Sequence, residues 1–410
     1  MSPSPDISPA SQPASQPALQ PVTWADSNRE AAFNQWLDGV ATNQALVPAT
    51  LRLASADASF RRYLCVDSSD AGVGRRIIMD APPALENCRP FVAIAHLMAQ
   101  AGLNVPQILA WDEANGFMLL SDLGAQTMMQ AMNRDNPQAN HAMYMQAVDA
   151  LIALQLASKP DVLPPYDEAL LRRELALFPD WYLAKHRGVA VEGEVRSTLD
   201  TAFNHIVKQN LSWPSVYVHR DFMPRNLMLA VGGSELTEAT CVGALPERRA
   251  GPPQASSAPS GGSAPRVAGS VGASSLGVLD FQDAVYGPIT YDIASLMRDA
   301  FLTWEEDFVL EITIRYWEKA RKAGLPVGDD FGEFYRGVEW MGLQRHLKVA
   351  GIFARLTLRD GKPQYLADTP RFIHYIRATT NRYRELKPLL RLIDRIEGTE
   401  PSTGFAYGRM

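Results

Sequence analysis

The feature that most constrains the fold of this 410-residue chain is a polar loop between two short apolar runs, in the stretch VYVHRDFMPRNLML. His219, Arg220 and Asp221 are consecutive there, and Asn226 follows after four further residues. The flanking runs, VYV and LML, are typical of short strands. A second carboxylate, Asp280, follows the apolar run GVL further along the chain. The pattern predicts one tight loop that presents a carboxylate and an amide, with another carboxylate nearby.

This combination of residue types matches the chemistry of phosphoryl transfer. The spacing H-R-D-x-x-x-x-N, followed by an Asp-Phe pair after an apolar run, is the pattern of kinase catalytic loops. Asp221 can accept a proton from an attacking hydroxyl, while Asn226 and Asp280 offer the hard oxygen ligands that Mg²⁺ prefers. We therefore predict Asp221 as the catalytic base and Asn226 and Asp280 as magnesium ligands. The alternative is that each is an ordinary loop, turn or strand-end residue.

Two further polar residues are expected to have structural roles. His219 is expected to pack and to hydrogen-bond the loop backbone rather than to act as a base. Asp292, in the segment YDIASL, is expected to begin a helix and to cap it or to brace the catalytic loop.

Other classes of protein are disfavoured by the sequence. The formal net charge of −6 lacks the basic footprint of a general nucleic-acid binder. The chain contains no P-loop, no G-x-S-x-G and no H-E-x-x-H motif. No N-terminal signal pattern and no apolar run of about 18 residues is found, so we expect a cytoplasmic protein without a membrane partner. No obligate protein partner is evident.

Composition divides the chain into four parts. Residues 1–21 and 231–276 are rich in Gly, Ala, Ser, Pro and Gln, and we predict a disordered tail and a disordered insert. Residues 22–124 contain most of the strand-type runs: TLRLAS, FRRYLCVD, RRIIMD, QILAWD and FMLL. Residues 125–410 are dominated by helical patterns, among them DEALLRRELALFPDWYLAKH at 167–186. The sequence predicts an α+β fold with a small strand-rich N-lobe that binds nucleotide and a larger helical C-lobe that carries the catalytic site.

The motifs resemble a known family. HRDFMPRN together with GVLDFQDAVYGPITYDIASLMRDAF resembles the aminoglycoside phosphotransferase superfamily. Further segments, including SFRRY, IIMDAPP and RRELALFPDWYL, resemble a bacterial subgroup of it that phosphorylates amino sugars. The resemblance implies a protein-kinase-like bilobal fold, ATP and Mg²⁺, and transfer to the anomeric hydroxyl of free N-acetylmuramate or N-acetylglucosamine. In that subgroup the sugar 1-phosphate enters peptidoglycan recycling and bypasses steps that fosfomycin blocks.

The resemblance also implies a nucleotide site, with departures from the family pattern. Ser121, Asp122 and Leu123 match the hinge whose backbone meets adenine. The usual Gly-rich phosphate loop is replaced by ASADASFRRY, in which Ser55, Ser59 and Arg61 are candidates to hold phosphate. The strand that would carry a phosphate-binding lysine reads RRIIMD, so the Lys–Glu pair of kinases is missing. Arg61, Arg62, Arg75 and Arg76 are the candidates to replace that lysine, and the alternative is that they are solvated strand residues.

The sugar site is expected on the helical lobe, facing Asp221. Aromatic side chains can stack on the face of a pyranose, and polar side chains can hydrogen-bond its hydroxyl and acetamido groups. The candidates are Trp181, Tyr182, Trp340, Gln344 and Arg345. Burial in the helical core is the alternative for each. Arg225, inside the catalytic loop, can attract an anionic lactyl group or the γ-phosphate, or can stabilise the loop.

Two other functions remain open from the sequence. The same fold can phosphorylate another alcohol, such as an aminoglycoside or choline. The missing lysine also permits a nucleotide-binding scaffold without catalysis, although such a scaffold does not need Asp221, Asn226 and Asp280 together.

Overall fold

The computed structural model describes residues 22–56, 60–229 and 276–399. The predicted tail, 1–21, lies outside the described residues. So does the predicted insert, 231–276, except for Leu276. Ser59 also lies outside them, and of Ser55 only the backbone is described.

The described residues form eleven α-helices and nine strands. The helices are α1 (Ser27–Ala41), α2 (Arg89–Gln100), α3 (Met128–Ala131), α4 (His141–Leu156), α5 (Glu168–Leu175), α6 (Gly193–Leu211), α7 (Thr290–Met297), α8 (Glu306–Lys322), α9 (Phe331–Leu358), α10 (Thr369–Arg382) and α11 (Lys387–Glu397). The strands are β1 (Leu46–Ala56), β2 (Arg62–Ser68), β3 (Arg75–Asp80), β4 (Ile108–Asp112), β5 (Phe117–Ser121), β6 (Ser215–Val218), β7 (Leu227–Met228), β8 (Gly277–Val278) and β9 (Val285–Pro288).

The described residues up to Glu86, together with Ile108–Asp122, form the smaller of two compact units. Its five strands make an antiparallel sheet in the order β1-β2-β3-β5-β4. Helix α1 begins at a cap in which the Asp26 carboxylate accepts from the Asn28 backbone N–H. Phe33 and Leu37 of α1 are buried against the sheet residues Ile78 and Phe117. One face of the sheet is thereby covered, as an antiparallel sheet requires for stability.

The larger unit contains Asn87–Gln107 and the described residues from Leu123 onward. Helix α9, 28 residues long, packs against α6, α7, α8 and α10. Two short antiparallel ladders, β6 with β9 and β7 with β8, interrupt the helices. The predicted combination of a small strand-rich unit and a larger helical unit is confirmed. In the part of the chain that the structure describes, no helix is both long and apolar enough to cross a bilayer.

Several elements differ from the sequence-based expectation. The helical pattern at 167–186 divides into α5 and a π-type helix, Phe178–His186. Strand β9 and the helices α6, α10 and α11 were not singled out from the sequence.

Candidate active site

The motif that the sequence singled out forms a closed loop in the larger unit. It leaves β6 after Val218 and returns in β7 at Leu227, and both strands are held in antiparallel ladders. A short 3₁₀ turn, Pro224–Asn226, ends the loop, and the Asn226 N–H donates to the Met223 carbonyl at 2.9 Å. The Leu279 N–H donates to the Asn226 carbonyl at 2.9 Å, so the loop is fastened directly to the segment that carries Asp280.

The structure brings Asp221, Asn226 and Asp280 together. The Asn226 side-chain amide donates to the Asp221 carbonyl at 2.8 Å and faces Asp280 Oδ2 at 3.4 Å. Asp280 Oδ1 accepts from the Gln282 side chain at 2.7 Å. Asn226 is buried, and its Oδ1 has no hydrogen-bond partner among the described residues. A buried amide oxygen without a donor, next to a carboxylate, suits a Mg²⁺ ion.

Two residues of this site have left-handed backbone conformations. Arg220 has φ 76° and Asp280 has φ 63°. Positive φ is uncommon for residues other than glycine and is maintained only where surrounding contacts hold it. The contacts around the loop therefore have to supply that stabilisation.

Asp292, in the first turn of α7, supplies part of the stabilisation of this loop. Its carboxylate is fully buried and accepts from the backbone N–H groups of His219, at 2.7 Å, and Arg220, at 3.0 Å. Burial raises the pKa of Asp292 to about 7, against the opposing effect of these two hydrogen bonds. Of the two roles expected for Asp292, bracing of the catalytic loop is the one observed.

His219 is a neutral support of the loop, as expected. Its Nε2–H donates to the Leu279 carbonyl at 3.0 Å, and its Nδ1 accepts from the Asp221 N–H at 3.3 Å. Burial lowers the pKa of His219 to about 4. The ring is uncharged at neutral pH and both its nitrogens are engaged with backbone, which leaves neither available as a base.

A buried carboxylate, Glu174 of α5, binds the side chain of Arg220. The Arg220 guanidinium donates to Glu174 Oε1 at 2.6 Å, and the Lys348 ammonium lies 2.8 Å from the same oxygen. Glu174 Oε2 accepts from the Tyr166 hydroxyl at 2.7 Å and from the Gln344 amide at 2.9 Å. Four donors, two of them from α9, therefore meet one carboxylate beneath the loop.

The residues predicted to line the sugar site fall into two groups. Gln344 and Arg345 lie under the catalytic loop. Gln344 donates a hydrogen bond to Glu174, and Arg345 Nη1 donates to the Arg220 carbonyl at 2.7 Å.

Tyr182 and Trp340, the second group, are buried elsewhere. The Tyr182 hydroxyl donates to Glu397 at 2.8 Å, and Trp340 packs against Tyr383 with ring centroids 5.4 Å apart. These contacts favour the alternative, burial in the core, for all four.

Two of the predicted residues remain partly exposed. The Trp181 ring carries the Lys185 ammonium 3.5 Å from its centroid. The Arg225 guanidinium lies 4.5 Å from the centroid of the Phe301 ring, in the segment that follows α7.

The nucleotide-site candidates lie mostly in the smaller unit. Arg61 is 2% exposed and pairs at 3.3 Å with Glu86, whose side chain is 7% exposed. Ser121 ends β5, and Asp122 forms an ion pair with Arg75. The division between the two units falls between Asp122 and Leu123.

Sequence reasoning did not identify Glu174, Lys348 or Asp299. Asp299 is 1% exposed; its Oδ1 accepts from the Phe301 N–H at 2.8 Å, and its Oδ2 has no hydrogen-bond partner among the described residues. All three are charged residues that the fold buries near Arg220 or Arg225. For Glu174 and Lys348 the available signal is a charged residue on an otherwise apolar helix face, which is visible only once the helix face is known, and Asp299 lies beyond the end of α7.

Comparison with known proteins agrees with this geometry. The model of the phosphotransferase enzyme family matches residues 50–237 and 272–330. The N-acetylmuramate/N-acetylglucosamine kinase of Pseudomonas aeruginosa is 44% identical, over 90% of this chain and 97% of that protein. The kinase of the same name from Neisseria meningitidis is 42% identical, over 92% of this chain and 99% of that protein.

A solved structure supports the fold. The Plasmodium vivax ethanolamine kinase superposes with a TM-score of 0.52 at 11% identity, covering 89% of this chain and 90% of that one. The protein-kinase-like fold and the family resemblance predicted from the motifs are both confirmed. On the match of the family model and on its relatives, the chain belongs to the phosphotransferase enzyme family.

Proposed function

We propose that this protein is an ATP-dependent kinase that phosphorylates the anomeric hydroxyl of N-acetylmuramate and N-acetylglucosamine. The observation that carries the proposal is the grouping of Asp221, Asn226 and Asp280 in a chain that is 44% identical to a kinase named for these sugars. We also propose that the resulting sugar 1-phosphates serve peptidoglycan recycling in the cytoplasm, as the family resemblance implies.

In the proposed reaction Asp221 orients the anomeric hydroxyl and accepts its proton as the oxygen attacks the γ-phosphorus. The new O–P bond forms as the bond to the β-phosphate oxygen breaks, and ADP leaves. Asn226 and Asp280 would hold a magnesium ion, which neutralises charge on the phosphates when bound. Neutral His219 and buried Asp292 keep the loop fixed while the proton moves.

The nucleotide contacts are part of the proposal. The backbone of Ser121, Asp122 and Leu123 would meet adenine, and Ser55, Ser59 and Arg61 would contact phosphate. Arg61 is the strongest candidate to replace the missing lysine, because its guanidinium is buried beside a carboxylate, as the lysine of kinases is.

Two partly exposed residues are proposed to contact the acceptor sugar. Arg225 is proposed to attract the lactyl carboxylate of N-acetylmuramate, since it is a partly exposed cation inside the catalytic loop. Trp181 is proposed to stack on a sugar ring, since its indole is partly exposed.

The test is ADP release by the purified protein with Mg-ATP and a panel of acceptors: N-acetylmuramate, N-acetylglucosamine, glucose, choline and kanamycin. The 1-O-methyl glycoside of N-acetylglucosamine is the control, because its anomeric oxygen carries no proton. We expect turnover of the two free amino sugars and none of the glycoside. Turnover of kanamycin or choline alone would reassign the acceptor, and ATP binding without any turnover would favour the scaffold.

The catalytic base is tested in the same assay. Asp221→Asn is expected to lower kcat by about 10²- to 10⁴-fold and to leave ATP binding intact, because the amide cannot take the proton. Asp200→Asn, on the exposed side of α6, is the matched control and should retain full activity. An Asp221→Asn variant that turns over at the wild-type rate would exclude Asp221 as the base.

A further inference from the structure

The peptide bond between Arg220 and Asp221 is held at both ends. Its carbonyl oxygen, on Arg220, accepts from Arg345 Nη1 at 2.7 Å. Its N–H, on Asp221, donates to His219 Nδ1 at 3.3 Å. Because the peptide unit is planar, these two contacts fix the orientation of the plane from which the Asp221 side chain departs.

Arg220 is held at three further points. Its N–H donates to Asp292, and its side chain donates to Glu174 at 2.6 Å and to the Asp283 carbonyl at 3.3 Å. Its left-handed φ of 76° is uncommon for a residue other than glycine, and these contacts hold it in place. Among the described residues, the contact to the Arg220 carbonyl comes from α9, far from the loop in sequence.

Arg345 is itself fixed in position. It is 4% exposed, and its guanidinium lies 4.9 Å from the centroid of the Tyr291 ring. The Tyr291 hydroxyl accepts from Lys348, one turn further along α9, at 2.9 Å. Burial opposes the positive charge of Arg345, but Tyr291, Asp221 and Asp292 overcome this effect and raise its pKa. The group is therefore a permanent cation with a defined place beneath the loop.

We propose that Arg345 is a positioning residue for Asp221, acting through the Arg220 carbonyl, rather than a ligand of the sugar. The inference rests on Asp221 being the catalytic base in the proposed function. It replaces the sequence-based assignment of Arg345 to the sugar site, because a side chain that is buried and bonded to the loop backbone acts on the geometry of the base.

The two roles predict different kinetics. A sugar ligand contributes mainly to the KM for the sugar, whereas a positioning residue contributes to kcat. Displacement of a reacting group by about 1 Å costs about 10²-fold in rate. Arg345→Met is therefore expected to lower kcat by about 100-fold, with the KM values for ATP and sugar changed by less than about twofold. Arg345→Lys, which keeps the charge but loses the planar fork, is expected to recover part of the rate.

A double-mutant cycle with Asp221→Asn distinguishes positioning from a general structural effect. If Arg345 acts through Asp221, then Arg345→Met should cost almost nothing further in the Asp221→Asn background. A merely structural role would lower the residual turnover of that background by the same factor as in the wild type. Arg336→Met, in the same helix and paired with Glu385 at the surface, is the matched control and should leave kcat unchanged.

Several outcomes would overturn the inference. They are an unchanged kcat, a loss confined to the KM for the sugar, or multiplicative losses in the cycle. If Arg345→Met does not accumulate as folded protein, the double-mutant cycle is measured with Arg345→Lys instead, for which we expect a loss of about tenfold in kcat. If the wild type acts on a different acceptor, the proposed sugar specificity is wrong. The double-mutant cycle is then measured with that acceptor, and it still tests the role of Arg345. A protein that turns over no acceptor has no base to position, and both proposals fall.

Discussion

Single residues determine how firmly the catalytic loop is held, and Glu174 is the most highly connected of them. Removing one partner from a buried ion pair leaves an uncompensated charge. Glu174→Gln would leave the buried cations Arg220 and Lys348 without their carboxylate. We expect a loss of about 3 kcal/mol in the free energy of unfolding, measured by urea denaturation, and a lower kcat.

Glu168 provides the matched control for this substitution. It lies on the same helix and pairs with Arg172, and both side chains are more than 40% exposed. Exposed pairs contribute little, so Glu168→Gln should change the free energy of unfolding by less than about 0.5 kcal/mol. Equal losses in the two variants would contradict the importance assigned to Glu174.

A second residue-scale prediction concerns pH. His346 is buried, its Nε2–H donates to the Arg298 carbonyl at 3.2 Å, and its ring stacks on Tyr375. Burial, with the nearby Arg298 and Arg345, lowers the pKa of His346 to about 3. As the pH falls from 6.5 towards 3, the unfolded chain takes up a proton here that the folded protein does not. Because of His346, the free energy of unfolding therefore falls by up to about 1.4 kcal/mol for each pH unit by which the pH is lowered in this range.

We expect His346→Asn to remove this contribution. The difference in unfolding free energy between wild type and variant should shift in favour of the variant as the pH is lowered from 7 to 4, measured by denaturant unfolding at each pH. His374→Asn, at an exposed position of α10, is the control for the same substitution at another histidine and is measured at the same pH values. The same pH dependence in both variants would contradict the assignment to His346.

The grouping of Asp221, Asn226 and Asp280 could be predicted from the sequence because its signals are local. Asp221 and Asn226 lie on one short loop, and Asp280 follows a recognisable apolar run. Glu174, Arg345 and Lys348 could not be assigned in the same way, because their partners are 46 to 174 residues away along the chain. A charged residue in a helical pattern looks solvated until the fold shows which face is buried.

At the scale of elements, α9 depends on glycines that permit close packing. A Cβ added at Gly351 would lie 2.3 Å from the backbone carbonyl of Leu177, which cannot move independently. Gly351→Ala is therefore expected to destabilise the protein by about 1–3 kcal/mol, seen as a lower Tm. At Gly342, in the same helix, the nearest atom is Arg298 Cγ at 3.4 Å, in a flexible side chain.

Gly342→Ala serves as the control for that prediction. Alanine favours helix more than glycine by about 1 kcal/mol, so this variant should unfold at or slightly above the wild-type Tm. A Gly351→Ala variant with the same Tm would show that α9 can move away from Leu177.

Elements with strong periodicity were predicted well, and those with mixed signals were not. Strand β3 was predicted with its observed bounds, because RRIIMD is a β-rich run between turns. The pattern at 167–186 favoured one helix, but Pro179 has no N–H to donate, and the chain continues as a π-type helix in which the Arg187 N–H bonds the Tyr182 carbonyl. Strand β9 reads as a turn in sequence because it contains Gly287 and Pro288.

At the scale of the whole molecule, the connection between β7 and β8 can be shortened. Met228 pairs with Gly277, so the two ends of the long segment between them lie side by side. Deleting residues 233–273 would leave seven residues to join them, enough for a hairpin loop. Since loop-closure entropy changes only slowly with length, we expect kcat within about twofold of wild type and a Tm that does not fall.

The measurement is a comparison of kcat and Tm for the full chain and the deletion variant, purified side by side. Replacing residues 233–273 by an equally long Gly/Ser segment is the control, because it preserves length and changes composition. A collapse of kcat in both variants would mean that the segment itself contributes to turnover.

The Glu174–Arg220 pair bears on how the activity is controlled. In many protein kinases the arginine of the H-R-D motif is neutralised by a phosphate that another enzyme adds to a mobile segment, so the modification acts as a switch. Here the countercharge is a carboxylate in the protein's own interior, 2.6 Å from the guanidinium. The arginine is neutralised as soon as the chain has folded. The charge pairing that those kinases obtain by modification is therefore already part of this fold.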